Sequence, residues 1–94
     1  MNILITAATS AEAHKLKNQL ANDTIILGDY TELPAFMKII KLPNPASMSY
    51  AHEMLTLCLD KGIEKVYALG EEEQRLLSEA EQLFVEYGIE LVHS

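Results

Sequence analysis

The chain has a single cysteine, Cys58, among 94 residues. No internal disulfide can form, and a lone thiol fits a reducing compartment. Long apolar runs are missing as well. None approaches the ~20 residues that a bilayer-spanning helix needs. The start, "NILITAATSA", is apolar and small but has no basic segment ahead of it, which argues against a secretory leader. Cytoplasm is the expected location.

Positive charge is scarce, with seven Lys and Arg against 14 Asp and Glu, a net charge of −7. The excess is uneven. Residues 1–52 hold four acids and four bases, whereas residues 53–94 hold ten acids against Lys61, Lys65 and Arg75. A surface of that sign repels nucleic-acid phosphates and anionic membranes, so neither is an expected partner. Metal-ligand spacing is also absent, because His14, His52 and His93 are far apart and Cys58 falls on an apolar helical stripe. The "EEE" run at residues 71–73 reads as an acidic first turn that favours the helix dipole rather than as a metal site. No metal and no cofactor are expected.

What is present is an alternation of strands and helices. Buried-strand runs fall at Ile3–Thr6, Thr24–Leu27, Ile39–Leu42, Val66–Leu69 and Ile89–Val92. Helical periodicity covers residues 10–21, 49–61 and 71–87. Gly62 and Gly88 follow the second and third helices as stops. The order β-α-β-β-α-β-α-β, with right-handed crossovers, predicts a single three-layer α/β/α domain spanning 1–94. Its five-stranded sheet would be mainly parallel, in the order 3-2-1-4-5.

The connection "YTELPAFM", residues 30–37, is short for a parallel crossover and contains Pro34. A compressed, irregular crossing is favoured over an antiparallel third strand. Without a crossover helix, apolar surface over strands two and three should be thinly covered. A homodimer or protein partner docked there through Tyr30, Leu33, Phe36 and Met37 is one expectation. A local lid made by the same residues is the other.

The first strand ends on "AATSAE", where a dinucleotide fingerprint would need glycines for the tight turn and for close approach of the pyrophosphate. Ala7, Thr9 and Glu12 stand in those places. "TSAE" has the capping-box form, which predicts Thr9 as N-cap with Glu12 reaching back, so that the turn's amides are satisfied internally. Asp29 stands where a ribose-binding acid would. "LPNPAS" leads into the second helix, with Ser47 or Ser49 as its cap. Any ligand pocket at the carboxyl ends of the strands would therefore draw on Ala7, Ala8, Thr9, Ser10, Asp29, Pro43, Asn44 and Ser47. Gly70 and Glu71 would form its far wall.

"NILITAATS", "IILGD", "KIIKLPNP", "CLDKGIEKVYAL" and "GEEEQRLLSEAEQLFVEYGIEL" come in an order that resembles the N-terminal pre-ATP-grasp domain of ATP-grasp ligases such as carbamoyl phosphate synthase and biotin carboxylase. The resemblance implies a Rossmann-like fold. It also implies a module that supplies edges of a substrate site, while ATP and its metal are held by an ATP-grasp domain that these residues do not include. The expectation is a non-catalytic domain of unknown specific function that binds a protein partner or a small ligand. The alternatives are a nucleotide-binding sensor, or an accessory subunit working with a separately encoded ATP-grasp protein.

Overall fold

A computed structural model describes residues 1–20, 22–31, 34 and 38–93, with the His93 side chain left aside. Strand β1 (Asn2–Ile5) leads into helix α1 (Ala11–Gln19), and β2 (Thr24–Asp29) is followed by the short β3 (Ile40–Lys41). Then come α2 (Tyr50–Lys61), β4 (Lys65–Ala68), α3 (Glu71–Glu79), α4 (Glu81–Glu86) and β5 (Glu90–His93). The sheet order is β3-β2-β1-β4-β5, and every pairing is parallel. The third strand thus crosses over in parallel, as the compressed reading requires, but it is only two residues long.

Alternation along β1 divides the core. Ile3 and Ile5 point to the α1 face, where Ala13 is buried and Leu16, Leu20, Ile25 and Leu27 are partly covered. Leu4 points to the other face and joins a much larger cluster that includes Met54, Cys58, Val66, Leu77 and Phe84. One helix covers the first face and three cover the second. This asymmetry leaves Ile25 and Leu27 only half-buried on the α1 face of β2. Leu33, Phe36 and Met37, expected to sit over that region, lie outside the described residues.

Two helix boundaries depart from the sequence reading. The first helix starts one residue later than expected, and its N-cap is Ser10, whose Oγ accepts from the Ala13 amide at 3.2 Å. Thr9 is exposed outside the helix, which moves Glu12 off the position a capping box needs. The expected helix 71–87 is broken at Ala80, whose amide donates to the Leu77 carbonyl in a tighter turn. Neither proline nor glycine marks this break. Leu77 and Phe84, one on each side of it, are both fully buried in the same cluster. At Gly62 the stop is as expected. Its φ of +66° lets its amide reach the Cys58 and Leu59 carbonyls.

Candidate ligand cleft

At the carboxyl ends of the strands, three connections converge. Tyr30 follows β2, residues 44–46 follow β3, and Gly70 to Glu73 follow β4 as the first turn of α3. Together they line a cleft of about 400 Å³. Asn44 shapes one wall by accepting the Ala46 amide on its Oδ1 at 2.8 Å, a local turn that holds the proline segment in place. Tyr30, expected on an interface, stands half out of the protein at the cleft's edge.

The inner wall is a buried carboxyl. Glu73 is 4% exposed, on the same helical face as Leu77, and its Oε2 accepts from the Tyr50 hydroxyl at 3.1 Å. Gly70 lies against it so closely that a Cβ there would stand 2.6 Å from Glu73 Oε1. Burial holds the Glu73 carboxyl above the usual carboxylate range. Hydrogen bonds from Tyr50 and Thr6 partly offset this, and the nearby Asp29 charge adds to it. Tyr50 is raised in turn, chiefly by burial and then by the negative charge of Glu73.

Thr6 links this group to the sheet. It is fully buried at the end of β1, and its Oγ1 accepts the Leu69 amide at 2.9 Å, bridging the ends of β1 and β4. That gap between β1 and β4 is where the strand order reverses, and open α/β sheets place ligands just outside it.

The first turn is arranged differently. Ala7 holds a φ of +50°, a left-handed conformation at the position where a fingerprint would have its first glycine. The turn folds onto the sheet rather than standing open. The Ala8 amide donates to the Gly28 carbonyl at 3.2 Å, the Ser10 amide to the Ala7 carbonyl at 2.9 Å, and the Ala13 amide to Ser10. Three donors that a phosphate would use already have partners. Asp29 is buried, and its Oδ1 accepts both the amide and the hydroxyl of Thr31 at 3.1 and 2.9 Å.

Of the residues singled out from the sequence, the cleft brings together Asn44, Gly70, Glu71 and Tyr30. Ala7, Ala8, Thr9, Ser10, Asp29, Pro43 and Ser47 do not line it. Ser47 instead donates to Glu53 Oε2 at 2.7 Å, and Ser49 is the N-cap of α2. Glu73, Tyr50 and Thr6 escaped the sequence reading. Glu73 did carry a signal, for it stands four and seven residues before Leu77 and Ala80 on the apolar stripe. An acid on such a stripe is either buried with a partner or misplaced. No group of three or more His, Cys, Asp or Glu able to hold a metal occurs among the described residues.

The architecture defines a Rossmann-like α/β/α domain. A solved structure of 3-alpha-hydroxysteroid dehydrogenase from Pseudomonas sp. B-0831, complexed with NADH, is similar with a TM-score of 0.53 at 19% sequence identity. The likeness covers 74% of this chain but 30% of that one, so this chain spans less than a third of the dehydrogenase and shares its fold. No protein-family model and no curated protein sequence matches the chain. No helix among the described residues is long and apolar enough to cross a membrane.

Proposed function

We propose that this chain is a non-catalytic Rossmann-like binding module whose small ligand sits in the cleft between Tyr30, Asn44 and the first turn of α3. The observation that carries this is the buried Glu73, held by the Tyr50 hydroxyl behind it, on the inner wall of a cleft beside the switch point. Glu71 on the same wall is an exposed acid, and Glu72 beside it is an exposed acid paired with Arg75. Negative charge there disfavours phosphates and favours a neutral or cationic polar ligand. The internally bonded Ala8, Ser10 and Ala13 amides argue in the same direction. The resemblance to pre-ATP-grasp domains is compatible with this reading, since in that family such a domain supplies edges of a substrate site whose ATP is held by an ATP-grasp domain.

A thermal-shift panel tests the proposal. A ligand present at about 100 times its Kd stabilises by ~2.7 kcal/mol, which a melting curve resolves easily. Neutral nucleosides and small polar amines should include a stabiliser, and Ala46→Phe, which fills the cleft, should abolish its effect. Stabilisation by ADP or NAD alone, by nothing in the panel, or equally in the Ala46→Phe variant would overturn it.

A further inference from the structure

Away from the cleft, one side of β2 is only partly paired among the described residues. The strand pairs with β1 from Thr24 to Leu27 but with β3 only at Gly28 and Asp29. The parallel register places the Ile40 amide on the Leu27 carbonyl, so among the described residues the outer edge lacks a strand partner from Thr24 to the Leu27 amide. The Thr24 amide donates to the Met1 carbonyl, and the Gly28 carbonyl accepts from Ala8 on the same inner side. Backbone groups alternate along a strand, so Ile25 and Leu27 turn their peptide groups outward. Beside this edge is a groove of about 470 Å³ lined by half-buried Ile25, Leu27 and Ile40. Lys17 of α1, Lys61 of α2 and Lys38 surround it. None of the three lysines pairs with a carboxylate among the described residues.

We propose that this edge docks an extended acidic segment of a partner protein by strand addition. Three of seven basic residues border one apolar groove on a chain of net charge −7. The outward groups of Ile25 and the Leu27 amide, unpaired among the described residues, would supply the ladder, alternate apolar side chains of the partner would enter the groove, and its acids would meet the lysines. Lysines on an edge also guard it against self-pairing. A second copy of this chain docked edge to edge about a two-fold axis would bring both sets of lysines together, so charge selects against that occupant.

The test uses a fluorescein-labelled peptide of alternating valine and glutamate, with a valine–lysine peptide of equal length as control. Fluorescence anisotropy at low salt should show binding of the glutamate peptide alone. Combining K17E, K38E and K61E should weaken binding by about tenfold or more. N-methylation of alternate peptide amides should abolish it, because the ladder could not form. Binding of neither peptide would leave the lysines as guards of a bare edge and overturn the proposal, as would equal binding of both or of the methylated form. Sedimentation showing a dimer that Ile25→Lys disrupts would assign the edge to a second copy instead.

Discussion

Removing the Tyr50 hydroxyl isolates the energetics of the buried carboxyl. Tyr50→Phe keeps the ring among Met54 and Leu55 but deprives Glu73 of the donor at 3.1 Å. A hydrogen bond to a charged group contributes about 1.5–3 kcal/mol, whereas a neutral pair contributes ~0.5–1.5. The cost of the substitution therefore depends on whether Glu73 carries its charge. The folded protein binds the Glu73 proton more tightly than the unfolded chain, so the associated stability is full below the ordinary carboxylate pKa of about 4.3. It is lost as pH rises from there through the raised folded value. Urea titrations across pH should show this decline, ending in a plateau once Glu73 is ionised in the folded state. On the plateau, Tyr50→Phe should cost about 1.5–3 kcal/mol, equivalent to roughly 6–24 °C in Tm for a domain of this size. In a Glu73→Gln background, or at low pH, the same change should cost only ~0.5–1.5 kcal/mol. Glu73→Gln should itself flatten the profile. An identical cost of Tyr50→Phe in both backgrounds and at both pH extremes would refute the charge-dependent hydrogen bond.

Three further outcomes follow from local geometry. Ser10→Ala should lose about 0.5–2 kcal/mol through its cap on Ala13, while Thr9→Ala stays within ~0.5, as read by urea midpoints. The reverse order would restore the capping box. Gly62→Ala places a side chain at a φ of +66° with only Asn2 Nδ2 nearby, at 3.5 Å, so backbone strain alone should cost about 1 kcal/mol. A neutral result would mean that the helix stop relaxes. Burial pushes the Cys58 thiol up to about 12, so alkylation by iodoacetamide at neutral pH should proceed only through unfolding. Labelling that is independent of urea concentration would contradict that placement.

The apolar runs were enough to place five strands in order, because a strand covered on both faces must be apolar along its whole length. Gly62 was legible for a similarly local reason, since few other residues tolerate its φ. The first turn was half legible. Its closure upon itself could be inferred from polar residues beside a helix start, but whether Thr9 or Ser10 does the capping depends on where the chain leaves the sheet. That exit is set by Ala7 in a left-handed conformation and by Ala8 bonding back to β2. In the cleft, Asn44 and Gly70 could be placed because loops after strands lie at one end of a parallel sheet.

Glu73 shares a helical stripe with Leu77 and Ala80, which sets it apart from its two exposed neighbours, but the partners that bury it could not be read from the sequence. Tyr50 lies 23 residues away in sequence, and Thr6 reaches the same group from the opposite end of the chain. The sequence by itself determined the order of elements and the helix stops, because periodicity and backbone preference act within a few residues. Only the tertiary structure decided what surrounds the buried acid and which stretch of β2 is unpaired among the described residues, because desolvation and pairing depend on neighbours that the chain brings together from afar.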